Sequence, residues 1–297
     1  MKEYKKYLQP EYVSQLDSLE LKAKLVVEGF ITGMHRSPYH GFSVEFAEHR
    51  QYQQGDELRY IDWKVYARTN KYFVKQFEEE TNLRALIAVD VSGSMGYASK
   101  GQISKLEYAT YLAASLSYLI IKQKDACGLA IYNTEVLEYL PPRAKISYIQ
   151  ELLQRLDSIT PSNTTNTASA LHSLVERISR RGIVIIISDF FDDLEKINQS
   201  IRHFRHNNHE VVILQLLDPR EIDFKFGFST AFKDMETFEE MSTVPNQIQH
   251  SYKNAIEKHC TDLRNICRQQ KVDYHRIITN QPFDIALREY MVKRNSL

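Results

Sequence analysis

The chain of 297 residues lacks long apolar segments and any excess of one charge. Its longest apolar runs, GIVIIIS at 182–188 and EVVILQLL at 210–217, are far shorter than the roughly 20 residues that a membrane-spanning helix requires. No apolar segment of the signal-peptide kind follows the charged N-terminal residues MKEYKKYLQPEY. These absences predict a cytoplasmic protein without a membrane span.

Three further absences limit the function. Lys+Arg and Asp+Glu both total 38, so no overall electric field favours nucleic acid, and no nucleic-acid partner is predicted. The three cysteines, Cys127, Cys260 and Cys267, fit no metal-binding spacing and are predicted to be buried small hydrophobic residues. There is no glycine-rich Walker loop, so any ATP hydrolysis must come from a partner.

From residue 84 onward, apolar strands alternate with helical patterns. This alternation predicts an α/β fold with a doubly wound, mostly parallel sheet. The apolar residues at 183–188 and 210–217 are continuous, as expected of parallel strands that helices cover on both faces. The predicted strands are 84–90, 127–132, 183–188, 210–217 and 272–278. The predicted helices are 104–123, 145–156, 167–180, 193–206, 247–270 and 282–293.

The first 80 residues have a different pattern. Apolar residues at helical spacing predict an amphipathic helix over 14–30, and residues 31–80 read as a small β-rich leader. We therefore predict two parts, with residues 1–80 packed on a main domain of residues 81–297. Residues 218–246 break the strand–helix rhythm and predict an insertion or an edge hairpin.

Polar side chains follow two of the predicted strands. Asp90 ends the strand 84–90 and opens the run Asp90-Val91-Ser92-Gly93-Ser94, and Asp189 directly follows the strand 183–188. Ligands of open α/β sheets bind at the carboxyl ends of parallel strands, so these oxygens are predicted to converge if the two strands are close. Carboxylates and hydroxyls suit a hard cation, and the predicted cofactor is Mg²⁺ or Mn²⁺.

A third loop, PSNTTNTASAL at 161–171, supplies more hydroxyls immediately before a predicted helix. Threonine and asparagine are also preferred at helix N-caps. Taken alone, this loop fits helix capping and metal binding equally.

Together these three elements resemble the von Willebrand factor type A domain and its metal-ion-dependent adhesion site. That site has the pattern Asp-x-Ser-x-Ser, then a threonine, then an aspartate. The resemblance implies that Asp90, Ser92, Ser94 and Asp189 bind the metal. It places the metal-side threonine at Thr165, with Thr164 and Thr167 as alternatives.

The resemblance extends over nearly the whole chain. Residues 26–81 resemble the leader of a bacterial family called domain of unknown function 58, and LLDPREIDF, FKDMET and DYHRIITNQPFDIAL resemble its C-terminal part. Members commonly accompany MoxR-type AAA+ ATPases, which implies an adaptor in assembly or chaperone-like activity. Many relatives also carry membrane helices near the N-terminus, which this sequence lacks.

These residues indicate binding rather than catalysis. Neutral serine and threonine oxygens under-neutralise a divalent ion, so an acidic side chain of a partner protein would complete its coordination. The alternative is a phosphatase-like hydrolase that uses Asp90 as nucleophile. Such an enzyme needs a second carboxylate as acid and base, and Ser92 occupies that position. We therefore predict a metal-dependent protein-binding module that is not an enzyme.

Overall fold

The computed structural model describes most of the chain as two compact units. One unit comprises residues 1–36 and 82–297, and the other comprises residues 37–81. The described residues are 9–35, 50–51, 63–74, 83–162, 167–226, 230–233, 240–243 and 245–295.

The secondary structure follows the strand–helix alternation that the sequence predicts. In chain order the elements are α1 (Pro10–Ser14), α2 (Leu19–His35), β1 (Arg50–Gln51), α3 (Trp63–Thr69), β2 (Phe73–Val74), β3 (Arg84–Asp90), α4 (Lys105–Lys122), β4 (Ala126–Tyr132), β5 (Val136–Arg143), α5 (Tyr148–Asp157), α6 (Thr167–Arg177), β6 (Ile183–Ser188), α7 (Leu194–His206), β7 (Glu210–Leu217), α8 (Pro219–Asp223), β8 (Thr230–Lys233), β9 (Glu240–Thr243), α9 (Pro245–Gln269), β10 (Asp273–Ile278) and α10 (Asp284–Asn295). A short 3-10 turn, Gly93–Gly96, follows β3.

The core of the larger unit is a six-stranded sheet in the order β10-β7-β6-β3-β4-β5. All neighbouring strands are parallel except β4 and β5, which are antiparallel. From β3 the chain winds to β4 and β5 on one side, and β6, β7 and β10 extend the sheet on the other. The predicted doubly wound, mostly parallel α/β fold is confirmed. Its topological switch point lies between β3 and β6.

Of the strands in the six-stranded sheet, β5 is the one that the sequence prediction missed. It lies at the edge of the sheet, where only Val136 and Leu140 of its eight residues are buried. It therefore lacks the continuous apolar run that marks the central strands. Pro141 and Pro142 also argue against an interior strand, and an edge strand tolerates them because its outer amides need no partner.

Helix α4 fills one face of the sheet and is buried along most of its length. The side chain of Ser104 caps its first turn by accepting a hydrogen bond from the Glu107 amide at 3.1 Å. Helix α2 packs on α4, and Lys22 Nζ donates to the hydroxyl of Tyr111 at 2.9 Å. The predicted opening helix, 14–30, begins later than expected because the hydroxyl of Ser18 accepts from the Leu21 amide at 3.2 Å.

The insertion predicted at 218–246 contains a capped helical turn and a hairpin. Helix α8 opens with a capping box, in which the Asp218 side chain accepts from the helix backbone while Glu221 accepts from the Asp218 amide. Strands β8 and β9 pair antiparallel as a separate two-stranded sheet. The break in rhythm therefore reflects local structure outside the main sheet.

The smaller unit contains a two-residue antiparallel pairing of β1 with β2 and the helix α3. The rings of Tyr66 and Tyr72 stack with centroids 4.5 Å apart. The predicted division at residue 80 stays a prediction. The compact units group α1 and α2 with the sheet and separate residues 37–81.

All three cysteines are buried, as predicted. Burial raises the pKa of the Cys127 and Cys267 thiols to about 12, so both are protonated at neutral pH. Within the described ranges, every helix is too short or too polar to cross a bilayer.

Candidate metal site at the sheet edge

The candidate site lies at the carboxyl end of the sheet, at the switch point between β3 and β6. Asp90 is the last residue of β3, and Asp189 directly follows β6, its hydrogen-bonded neighbour. The two residues are 0% and 2% exposed. The structure therefore brings these two carboxylates to the one edge where open α/β sheets bind their ligands.

The Asp90 carboxylate is held by hydrogen bonds from three directions. Its Oδ1 accepts from the Ser92 amide at 2.8 Å, which turns the chain after β3 in an Asx turn. Its Oδ2 accepts from Ser188 Oγ at 2.6 Å and from Thr167 Oγ1 at 3.5 Å. The turn places Ser92 Oγ 3.2 Å from Ser94 Oγ, so both hydroxyls lie together beside the carboxylate.

No cationic side chain pairs with Asp90 among the residues that the structure describes. Burial, and after it the negative charge of Asp189, raise the pKa of its carboxyl to about 7. The hydrogen bonds from Ser188 and Ser92 lower this pKa, but by less than burial and Asp189 raise it. Asp90 is thus a buried acid whose charged form has no counter-ion in the part of the chain that the structure describes.

Asp189 has a counter-ion inside the protein. Lys105 Nζ lies 2.8 Å from Asp189 Oδ2 and 2.6 Å from Glu221 Oε1, and the lysine side chain is fully buried. Burial lowers the pKa of Lys105, but the two carboxylates outweigh it and hold the pKa above its usual value. Asp189 therefore contributes charge to the edge with one oxygen already engaged.

Sequence reasoning missed Lys105, although one signal was available. A lysine in the first turn of a helix opposes the helix dipole, so a buried lysine there indicates a specific acidic partner. The same network extends to the loop after the 3-10 turn. The Ser99 amide donates to Asp218 Oδ2 at 2.9 Å, and the Ser99 hydroxyl donates to Asp218 Oδ1. Helix α8 is thereby tied to the sheet edge.

Phe190, directly after Asp189, has a left-handed backbone with φ of +57°. A bulky residue in this region costs on the order of 1 to 3 kcal/mol, and such strain concentrates at functional sites. Its amide donates to Ser188 Oγ at 2.9 Å, and the Phe191 amide donates to Asp189 Oδ1 at 3.2 Å. These contacts fix the turn that presents Asp189.

The predicted threonine ligand, Thr165, lies outside the described residues, as does the alternative Thr164. The described residues on either side of 163–166 both contact the site. Ser162 donates from its amide to the Val91 carbonyl at 2.7 Å, and Thr167, at the start of α6, contacts Asp90. The Ala168 amide donates to Asp192 Oδ2 at 3.4 Å, so this carboxylate caps α6.

Tyr132 is a further residue of the site that the sequence did not reveal. It is paired in register with Asp90 on the adjacent strand β4 and is completely buried. Its hydroxyl makes no hydrogen bond of ordinary geometry to a described residue, although the nearby Ser188 side chain acts on it as a weak hydrogen-bond partner. Burial, followed by the charge of Asp90, raises the pKa of this phenol well above its usual value, so it remains a neutral donor.

Because the Tyr132 hydroxyl is buried and makes no hydrogen bond of ordinary geometry to a described residue, we expect Tyr132→Phe to leave the metal-free protein unchanged or to stabilise it by up to about 2 kcal/mol. Urea unfolding in EDTA measures this difference. Tyr139→Phe on the neighbouring strand is the matched control. Destabilisation by Tyr132→Phe of more than about 1 kcal/mol would show that the hydroxyl has a partner in the folded protein.

The donor set at this edge fits a hard divalent cation. Asp90, Ser92 and Ser94 offer a carboxylate and two hydroxyls, which are ligands that Mg²⁺ and Mn²⁺ accept. Within the described ranges, the Asp90 carboxylate has no cationic partner and the Tyr132 hydroxyl has no hydrogen bond of ordinary geometry, and both features favour a cation at this edge. In the described part of the chain, no group of three or more His, Cys, Asp or Glu residues could hold a metal. That absence is compatible with a site composed largely of hydroxyls.

The fold and this edge define a doubly wound α/β domain of the von Willebrand factor A-like kind, with Asp-x-Ser-x-Ser at the ligand-binding end of the sheet. The family described as "Protein of unknown function DUF58" matches residues 48–262, and the chain belongs to this family.

Similar proteins agree with this assignment. The uncharacterized proteins Rv1480 of Mycobacterium tuberculosis and Mb1516 of Mycobacterium bovis are each 27% identical over 264 residues, which is 87% of this chain and 82% of theirs.

Among solved structures, an aerotolerance-related membrane protein from Bacteroides fragilis matches with a TM-score of 0.50 and 18% identity. The match covers 72% of this chain and all of that one, and it supports the fold alone. The VWA domain of SpRpn10 matches at a TM-score of 0.40 and 10% identity, over 70% of this chain and 95% of that one. That similarity is too low to support an inference.

Proposed function

We propose that this protein is a metal-dependent protein–protein interaction module that binds an acidic residue of its partner at the edge formed by Asp90, Ser92 and Ser94. The observation that carries the proposal is the Asp90 carboxylate, which is fully buried, lies beside two hydroxyls and has no cationic partner among the described residues. A buried carboxylate of this kind is costly unless a cation compensates it.

Each residue has a definite part in this proposal. Asp90 supplies charge to the ion, and its position is fixed by the hydrogen bonds from the Ser92 amide and Ser188. Ser92 and Ser94 supply neutral oxygens, which leave the ion under-neutralised. A bound Mg²⁺ would offer its remaining coordination positions to water or to a carboxylate of the partner. Thr165 stays the predicted threonine ligand.

Asp189 has a separate part in the proposal, as a source of charge held by Lys105. Its Oδ2 is engaged by the lysine and its Oδ1 accepts from the Phe191 amide, so Asp189 adds negative charge beside the ion, while its role as a direct ligand stays a prediction. The Lys105 cation offsets one of the acidic charges at the edge. Because Lys105 neutralises part of this negative charge, the protein's own carboxylates would not fully neutralise a bound divalent ion. The ion would then still attract an acidic side chain of the partner.

We further propose that the partner is a MoxR-type AAA+ ATPase and that this protein is its adaptor in assembly or chaperone-like activity. The proposal rests on the resemblance described above, which implies an association with such ATPases; the family match itself establishes membership of the DUF58 family. The test is affinity capture from the host lysate on the immobilised protein, in Mg²⁺ and again in EDTA. We expect an AAA+ ATPase to be recovered in Mg²⁺ alone and to be lost with Asp90→Asn.

Asp193→Asn is the matched control for the capture experiment. Asp193 is an exposed acid that caps α7 by accepting from the Glu195 amide at 2.9 Å, and asparagine caps equally well. Equal recovery in Mg²⁺ and EDTA, or with wild type and Asp90→Asn, would contradict metal dependence. Hydrolysis of para-nitrophenyl phosphate that Asp90→Asn abolishes would instead support the phosphatase alternative.

A further inference from the structure

Two histidines meet on the surface where α6 packs against α7. His172 of α6 is exposed and His203 of α7 is partly exposed. Their Nδ1 atoms are 3.2 Å apart, while their ring centroids are 4.6 Å apart. The two Nδ1 atoms thus lie closer together than the ring centres do, on side chains that are exposed or partly exposed.

The separation of these nitrogens matches the spacing required at a transition metal. Zinc–nitrogen bonds of about 2.0–2.1 Å at a tetrahedral angle place two ligand nitrogens about 3.3–3.4 Å apart, and at a right angle about 2.9 Å apart. The observed 3.2 Å lies between these values. Neutral imidazole is a preferred ligand of zinc, nickel and copper and is a poor ligand of magnesium.

From this geometry we propose that His172 and His203 form a two-histidine site for a divalent transition metal, separate from the Asp90 edge. In the described part of the chain no third His, Cys, Asp or Glu joins the pair, so water completes the coordination. Binding requires both Nδ1 atoms to be deprotonated, which releases a proton from any imidazolium or from an Nδ1–H···Nδ1 hydrogen bond.

The position of the site gives it a structural consequence. Ser200 Oγ of α7 donates to the Ala168 carbonyl at 2.9 Å, and His172 lies one helical turn beyond Ala168. A metal bound by both histidines would hold α6 against α7 immediately behind Thr167, which contacts Asp90. Metal binding by the two histidines would thereby restrict motion of the first turn of α6, which carries Thr167 of the candidate magnesium site.

Titration of the full-length protein with zinc chloride by calorimetry, in the presence of excess Mg²⁺, tests the proposal. We expect one equivalent of zinc to bind to wild type, and the affinity to fall by about tenfold or more in His172→Gln and in His203→Gln. Asp90→Asn should bind zinc as wild type does. His250→Gln, a surface histidine on α9, is the matched control and should also retain binding.

Hydrogen exchange supplies a second readout. Zinc should slow exchange of the α6 amides in wild type and leave exchange unchanged in His172→Gln. Both histidines are on the surface, so their replacement should preserve the fold, which circular dichroism checks. Absence of zinc binding by wild type, or equal binding by wild type and the two histidine variants, would overturn the proposal.

Discussion

Asp90→Asn should make the metal-free protein more stable than wild type above pH 7 and should abolish its stabilisation by Mg²⁺. In wild type, burial and the charge of Asp189 raise the pKa of the Asp90 carboxyl to about 7, compared with about 4 in an unfolded chain. Ionised Asp90 therefore destabilises the metal-free fold. Asparagine has the same shape without the charge.

The sign of the pH dependence follows from proton linkage. Between about pH 4 and pH 7 the folded protein holds a proton on Asp90 that the unfolded chain has released, so wild-type stability falls as the pH rises. The loss is complete above about pH 7. The advantage of Asp90→Asn should therefore grow over this range and level off at on the order of a few kcal/mol.

Mg²⁺ should reverse the order of stability, so that wild type becomes more stable than Asp90→Asn. A cation that binds the folded wild type stabilises it in proportion to the logarithm of its concentration once sites are filled, whereas the asparagine variant has no charge to offer it. Thermal unfolding at pH 8, in EDTA and in increasing Mg²⁺ or Mn²⁺, measures both effects. Asp193→Asn should behave as wild type throughout. Equal responses of wild type and Asp90→Asn to Mg²⁺ would refute the metal site.

The second large effect is expected from Lys105→Met. Methionine approximates the length of the lysine side chain but leaves Asp189 and Glu221 buried without their shared cation. Removing one member of a buried ion pair typically costs about 3–5 kcal/mol, because the remaining charge is uncompensated. For a protein of this size, the melting temperature should fall by roughly 6 to 20 °C.

Removing the stranded charges should restore much of this loss. We expect Lys105→Met combined with Asp189→Asn and Glu221→Gln to be more stable than Lys105→Met alone, since a fully neutral cluster carries no unpaired ion. Lys122→Met, at the exposed end of the same helix, is the matched control and should change stability by less than about 0.5 kcal/mol. If Lys105→Met is as mild as Lys122→Met, the ion cluster does not stabilise the fold.

The fold was largely predictable because its central strands are apolar along their whole length. Strands β3, β6 and β7 begin and end within a residue of the predicted limits, since burial on both faces leaves a continuous signal in the sequence. Strand β5 was missed because it is an edge strand with most of its residues partly or fully exposed. Burial is not the whole reason, because the other edge strand, β10, has only Ile277 buried and was predicted. Strand β5 differs in carrying Pro141 and Pro142, which argue against a strand.

The candidate site likewise combines features that can be read in the sequence with features that only the folded chain shows. Asp90, Ser92 and Ser94 lie within one five-residue segment, so the sequence alone places their oxygens in one turn. Lys105 and Asp189 are 84 residues apart, and Ser188 and Asp90 are 98 apart, so only the folded sheet brings them together. The spacing of residues in the sequence cannot reveal pairs that lie so far apart along the chain. The metal-ligand roles of all five predicted residues stay predictions: Asp90, Ser92, Ser94, Thr165 and Asp189.

Pro141 and Pro142 on the outer strand β5 limit how another chain can attach to this domain. Proline carries no backbone N–H, so this border presents an interrupted row of donors to an incoming extended segment. Recruitment by strand addition is thus disfavoured along this flank. On the function proposed above, a visiting protein would instead be recognised by side chains and a bound cation at the loops.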